Sequence, residues 1–246
     1  MAHTDLSLPG RPKPYVMAHR GNQKACPENT LAAFQQSFSD GADILETDLH
    51  MSRDGVFVCI HDATLDRTTD GRGAVAERTL VELKCYSAGI HHPMYKTERI
   101  PTLAETASIL PGDVALALEL KAICFREEVV CRKLLDELKH YGVHGRTVVI
   151  SFEIDYLRNI QAVDAHLPVG LITEKRLTPL SGLQLAGPIW PFIFINPFYV
   201  WQAHALGQVV CPLDPEPDRR LSIYRMLGCD AVVSNNPAVT CRLLGR

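Results

Sequence analysis

The sequence predicts an α/β fold, a TIM (β/α)8 barrel with a hairpin after its second strand and a small inserted segment before the third. Three observations predict it. From Tyr15 onward, short apolar runs alternate with longer amphipathic ones, the β-then-α rhythm of a parallel sheet. The chain has 246 residues, 46% of them hydrophobic, a size that α/β barrels reach as one domain. The residues able to do chemistry fall at the C-terminal ends of the apolar runs, where a barrel's functional face lies. Residues 1–246 are therefore expected to form one barrel domain, with 70–102 an inserted loop or small subdomain.

Each element follows from local pattern. Tyr15–Ala18 is a strand that ends in His19-Arg20-Gly21. A helix then starts with Asn29 as N-cap, shows Leu31, Phe34 and Phe38 on its apolar face, and stops at Gly41. In the strand Ile44–Asp48, Glu46 and Asp48 stand two apart, so both carboxylates point to one face. Asp54-Gly55 suits a two-residue turn, which would set Asp48 opposite His61; a longer loop moves that register by about a residue. The return strand Val56–Ile60 runs antiparallel and is not a barrel strand, so nine strand candidates reduce to eight. The segment 70–102 is loop-like, with Gly71, Gly73, Gly89, Pro93 and Pro101.

Thr102–Leu110 reads as a helix and Val114–Leu118 as a strand running into Glu119-Leu120-Lys121. A helix from about Glu127 to His140 has Val130, Leu134, Leu135 and Leu138 at helical spacing. Thr147–Ser151, Val169–Ile172, Phe192–Ile195, Gln208–Cys211 and Ala231–Val233 are the later strands. Helices are expected over Ile154–Val163, Tyr199–Leu206 and Asp218–Leu227, and from Pro237, a residue suited to a first turn. His19, Glu46, Asp48, Glu119, Ser151, Asn196 and Ser234 all fall at strand ends in this reading.

Composition excludes several classes. A formal net charge of −3 and the lack of a basic run argue against a nucleic-acid partner. Residues 1–14 have neither the charged nor the apolar region of a signal peptide. The longest apolar stretch, around Ile189–Val200, is broken by Pro191, Asn196 and Pro197 and falls short of the ~20 residues that span a bilayer. Eight cysteines without a CxxC or CxxH pair read as reduced thiols rather than a zinc site, and a cytoplasmic location is expected.

The chemistry concentrates in a few side chains. Glu46, Asp48 and Glu119 come from different strands and meet at one mouth if the barrel forms. Unpaired there, they would repel and raise one another's pKa. A divalent cation removes that penalty, and all-oxygen ligation favours Mg2+ or Ca2+. His19 and His61 end strands at the same rim and suit proton transfer. His91-His92 falls instead in a loop, and His140, His144, His166 and His204 near helix ends. Arg20 and Lys121 supply positive charge for an anionic substrate. The aromatics Trp190, Phe192, Phe194, Phe198, Tyr199 and Trp201 are expected mostly in the core, with one or two near Asn196 lining a pocket.

These residues stand in a recognisable order. HRG at His19–Gly21, PENT at Pro27–Thr30, ETD at Glu46–Asp48, HDATLDRTTDG at His61–Gly71, ELK at Glu119–Lys121, ISF at Ile150–Phe152 and DAVVSNNP at Asp230–Pro237 resemble the glycerophosphodiester phosphodiesterase family over nearly the whole chain. The resemblance implies a barrel with an insertion after the second histidine. It also implies Glu46, Asp48 and Glu119 as ligands of one divalent cation, His19 as base and His61 as acid, and Arg20 and Lys121 on the phosphodiester. The implied reaction hydrolyses a small glycerophosphodiester to sn-glycerol 3-phosphate and an alcohol, with water or the neighbouring glycerol hydroxyl as nucleophile. Alternatives are a lysophospholipase D-like hydrolase, favoured by an apolar groove near Ile189–Trp201, and a phosphate-ester-binding barrel without turnover. One departure stands out. Where the family commonly shows a Trp-Thr-Val-Asn-like run after the seventh barrel strand, this chain has Cys211-Pro212-Leu213-Asp214.

Overall fold

Alternating small apolar residues build the parallel strands of the computed structural model, which describes residues 6–246. The strands are β1 (Tyr15–His19), β2 (Ile44–Met51), β4 (Ala115–Leu120), β5 (Thr147–Ser151), β6 (Val169–Thr173), β7 (Leu185–Pro188), β8 (Val209–Val210) and β9 (Ala231–Ser234). They lie in the order β8-β7-β6-β5-β4-β2-β1-β9, every neighbour parallel. The barrel is nearly closed: between β8 and β9 the Asp230 N–H donates to Val210 O (2.9 Å), and the Val210 N–H to Asp230 Oδ2 (2.8 Å). β3 (Phe57–Cys59) pairs antiparallel with the extension of β2 and stays outside the barrel path.

Period-two alternation sorts the side chains into two layers. Met17, Ile44, Ala117, Val148, Ile150, Ile172, Leu185, Cys211 and Val233 form an inner cluster. Val16, Leu45, Leu116, Leu118 and Val149 point outward to the helices. Those helices are α1 (Leu31–Ser39), α3 (Leu103–Ile109), α4 (Glu128–His140), α5 (Ile154–Val163), α6 (Trp190–Ile195), α7 (Tyr199–Ala205), α8 (Leu221–Leu227) and α9 (Pro237–Leu243); the short α2 (Leu80–Leu83) lies between β3 and α3. The stretch between β3 and α3 packs a small cluster of its own, with Leu65, Val75, Leu83, Ala88 and Ile100 against Val58 and Ile60. No helix among the described residues is long and apolar enough to cross a membrane. All eight cysteines are free thiols.

Four expectations change, the first being the setting of the aromatics after Ile189: Tyr199 is buried, but Trp190, Phe194, Phe198 and Trp201 are exposed. The hairpin loop has three residues, Arg53–Gly55, closed by Ser52 N–H to Val56 O (2.9 Å) with Gly55 at φ +82°. The register Leu49↔Cys59 then sets Asp48 beside Ile60, not His61, and the Ile60 N–H donates to Asp48 O (3.1 Å). The N-cap of α1 is Thr30, not Asn29. Phe192–Ile195 is part of helix α6, and the strand there is the Leu-Ala-Gly-Pro of β7. A short apolar run does not tell buried strand from helix, and Pro191 in the first turn suits a helix start. Gly187 disguises β7; a Cβ there would meet Ile172 Cδ1 at 2.4 Å, so that side chain would have to shift to admit a larger residue. Asn196 accordingly caps α6 rather than ending a strand, its amide donating to Leu177 O (2.8 Å).

Candidate active site at the barrel mouth

The inward columns of the barrel turn from apolar to charged at their C-terminal ends. Met17 is followed two residues on by His19, Ile44 by Glu46 and Asp48, and Ala117 by Glu119. Strand register then makes neighbours of them: His19 pairs with Glu46 across β1 and β2, and Asp48 with Glu119 across β2 and β4. One oxygen from each of Glu46, Asp48 and Glu119 lies within 4.8 Å of the others, and all three residues are buried. A small apolar void lined by Ile150, Ile172, Cys211, Leu213 and Val233 lies beside His19, Glu46 and Glu119. A larger cavity of about 440 Å3 opens at the opposite end of the barrel, around Tyr15, Ile44 and Ala115, and contains none of this set.

Neighbours hold the carboxylates in place but do not satisfy them. Glu46 Oε2 accepts the Arg20 backbone N–H (2.9 Å), and Asp48 Oδ2 accepts the Asn29 amide (2.8 Å). Arg20 Nε stands 3.2 Å from Asp48 Oδ2, and Lys121 Nζ lies 2.6 Å from Glu119 Oε1 and 3.4 Å from Asp48 Oδ1. Glu46 Oε1, Asp48 Oδ1 and Glu119 Oε1 are nonetheless buried without a well-directed hydrogen bond. Burial, then Asp48 and Glu119, drive Glu46 well above the usual carboxylate range. Burial and Asp48 push Glu119 up to about 7, against Lys121. For Asp48 burial also acts upward, but Arg20, Lys121, His61 and the Asn29 hydrogen bond outweigh it and hold it low. Three inward oxygens with spare lone pairs are a donor set that fits a hard divalent cation.

Backbone geometry brings the loop after β1 onto this cluster. Arg20 and Asn29 both have positive φ, +56° and +52°. Between them Gly21 packs so tightly on α1 that a Cβ would lie 2.6 Å from the Ala33 backbone. That close approach lets Asn29 reach both Asp48 and the Thr47 hydroxyl, which donates to Asn29 Oδ1 (2.7 Å).

The two histidines differ in their support. His19 Nδ1 is 2.7 Å from Asn235 Oδ1, which also accepts from Gln23 Nε2 (2.7 Å). Gln23 Nε2 also stands 2.9 Å from His19 Nδ1; in the tautomer that donates from Nδ1 to Asn235 Oδ1, an oxygen that only accepts, Nε2 keeps its lone pair. Burial and the Arg20 charge lower His19 to about 4, which keeps it neutral. His61 Nδ1 is 2.6 Å from Asp62 Oδ1, and its Nε2 accepts from Lys121 Nζ (3.1 Å). Asp62 is itself gripped by Arg67 (2.7 and 3.1 Å), Arg67 by Glu28 (2.8 Å twice), and Glu28 by Arg20 (2.9 Å). His50 Nε2 donates to His61 O (3.1 Å) and steadies its backbone.

The structure thus gathers His19, Arg20, Glu46, Asp48, His61, Glu119 and Lys121 at one end of the barrel. Sequence reasoning missed Asn29, Gln23, Asn235, Asp62, Glu28, Arg67 and His50 as their holders. Most of these lie inside the quoted motifs, which was the available signal. At Cys211 the structure shows a buried thiol on the inner wall. Asp214 turns away to Arg220 (2.6 and 2.7 Å) and the Tyr224 hydroxyl (2.5 Å). The Arg220 guanidinium in turn lies 4.4 Å over the Trp190 ring, so a different indole stands on this side of the mouth.

Comparison with known proteins agrees with this geometry. The model of the glycerophosphoryl diester phosphodiesterase family matches residues 19–193. A glycerophosphodiester phosphodiesterase of Caldanaerobacter subterraneus subsp. tengcongensis is 34% identical over 240 aligned residues, covering 94% of this chain and 98% of the relative. A probable glycerophosphodiester phosphodiesterase 1 of Mycobacterium tuberculosis is 30% identical over 262, covering 98% and 95%. The solved structure of an Oleispira antarctica phosphodiesterase in complex with the product sn-glycerol-3-phosphate superposes with a TM-score of 0.84 at 27% identity, covering 95% of this chain and 97% of that one.

Proposed function

Since the chain belongs to the glycerophosphoryl diester phosphodiesterase family, we propose that it hydrolyses small glycerophosphodiesters to sn-glycerol 3-phosphate and an alcohol, with a divalent cation and two histidines. The observation that carries this reading is the meeting of three under-satisfied carboxylates with two imidazoles at one mouth. Glu46, Asp48 and Glu119 would hold Mg2+ or Ca2+, which when bound supplies charge neutralisation for the phosphodiester oxygens. Arg20 and Lys121 add positive charge at the same place and orient the anion. Lys121 also releases His61 when the phosphate takes its ammonium. His19, neutral with a free Nε2, removes the proton from the attacking hydroxyl, of water or of the glycerol itself. His61, its Nδ1–H held by Asp62, acts in the doubly protonated form: it gives its Nε2 proton to the leaving oxygen and returns to the neutral ring.

A second reading keeps this chemistry on a lysophospholipid. The exposed aromatic side chains of α6 and α7 beside the mouth favour it, and turnover of lysophosphatidylcholine against glycerophosphocholine separates the two. The primary test is a coupled assay for sn-glycerol 3-phosphate from glycerophosphocholine, titrated with Mg2+ and with Ca2+. Release that depends on one of the cations is expected. Undiminished turnover in exhaustive chelator would remove the cation from the scheme, and no release under any condition would remove the reaction.

A further inference from the structure

The outer face of α6 and α7 is unused by this chemistry. From Ile189 to Ala203 the chain carries no Asp, Glu, Lys or Arg. Within that run Trp190, Phe194, Ile195, Phe198 and Trp201 are 38%, 40%, 62%, 65% and 69% exposed. In α6, Trp190 and Phe194 stand four residues apart with their rings 5.7 Å apart, and at the start of α7 Phe198 and Trp201 stand three apart, so each pair shares one side of its own helix. Soluble domains scatter their exposed apolar side chains and rarely crowd this many together.

The face is firmly mounted. Ile193, Tyr199, Val200 and Ala203 are buried beneath it, and Asn196 ties the elbow to Leu177 O and to Gln202 Oε1 (2.8 and 3.0 Å). The aromatics are therefore held outward by a packed underside. The face is also continuous with the site: the Trp190 N–H donates to Leu213 O (3.2 Å), and Leu213 lines the void beside His19, Glu46 and Glu119.

The composition identifies the occupant. Indole rings with Phe and Ile, lacking charge, match the headgroup level of a bilayer, where amphipathic rings settle. Apart from Arg220 stacked on Trp190, the run from Ile189 to Ala203 brings no charge to the surface, so it fits a zwitterionic surface better than a charged protein. Exposed Lys175 and Arg176, next to the half-exposed Leu177, stand at its edge within reach of lipid phosphates. We propose that the α6–α7 face docks the protein on a zwitterionic lipid surface by inserting Phe194, Ile195, Phe198 and Trp201 at the headgroup level, which sets the catalytic mouth beside the bilayer. This extends the proposed reaction, on which it rests for its purpose, but its test needs no turnover.

Both tryptophans of the chain, Trp190 and Trp201, lie on this face, so intrinsic fluorescence reports on it directly. The full chain is mixed with phosphatidylcholine vesicles and followed by flotation and by quenching with brominated phosphatidylcholine. Flotation, a blue-shifted emission and bromine quenching are expected. Ile195→Ser with Phe198→Ser lowers partitioning roughly tenfold or more, by loss of inserted apolar area. The same variant leaves kcat/KM for soluble glycerophosphocholine within about twofold. Unshifted emission without flotation overturns the proposal. So does light scattering that shows a dimer dissociated by the double variant, since a second copy would then cover the face. Vesicle binding without hydrolysis of soluble substrate would leave docking standing and sink the reaction; hydrolysis without vesicle binding does the reverse.

Discussion

On the β1–β2–β4 side of the mouth, nearly every charged group is fixed by a partner; on the β7–β8 side, Ile195, Phe198 and Trp201 face outward to solvent. Glu46, Asp48 and Glu119 are at most 7% exposed and bound into a network that runs from Arg20 through Glu28 and Arg67 to Asp62 and His61. Phe198 and Trp201 are 65% and 69% exposed. The contrast teaches a division of labour. Proton transfer and anion neutralisation need a few atoms held within tenths of an ångström, which burial and charge pairing provide. Surface attachment needs apolar area without atomic precision, and the run from Ile189 to Ala203 provides it without a charged residue.

The largest expected effect breaks the charged side. His19→Ala and His61→Ala should each lower kcat by roughly 10²–10⁴-fold with much less change in KM. Steady-state kinetics on glycerophosphocholine checks this, and a near-native kcat in either variant rejects that residue.

A second test reads the strain stored among the carboxylates. Glu119 is raised in the folded state from 4.5 to about 7, so between those values the unfolded chain binds fewer protons and stability falls as pH rises. In chelator, Glu119 therefore costs up to about 3 kcal/mol above pH 7. His19, lowered to about 4, acts oppositely, costing stability as pH falls below its ordinary 6.5. Urea unfolding of the native chain against Glu119→Gln isolates the first contribution: the variant should gain most at pH 8 and least at pH 5. Divalent cation should reverse the order at pH 8. An unchanged difference across this range would mean that Glu119 ionises normally.

The smallest effect sharpens the comparison inside the charged side. Asp62→Asn keeps a group beside His61 Nδ1 but removes the charge and loosens Arg67, and should lower kcat roughly tenfold with KM little altered. A change in KM alone would place Asp62 in substrate binding instead.

The two sides also differed in legibility. A carboxylate in an apolar strand is an anomaly that alternation exposes at once, so Glu46, Asp48 and Glu119 stood out. Asn29 and Asp62 did not, because a polar residue in a loop has an ordinary explanation as a cap or a solvated side chain. The α6 stretch failed for another reason. Phe192–Ile195 fits a buried strand and a helix equally well in one dimension, and Gly187 concealed the strand that was really there.

By itself the sequence determined the barrel, the inward columns that end in His19, Glu46, Asp48 and Glu119, and the family, because a period of two and a run of short motifs are local properties. Only the tertiary structure decided that the hairpin slips by one residue, that Asn235 and Asp62 set the two imidazoles, and that the aromatics of α6 and α7 face outward. Each of these depends on which distant segment packs against which, and a linear pattern does not specify that.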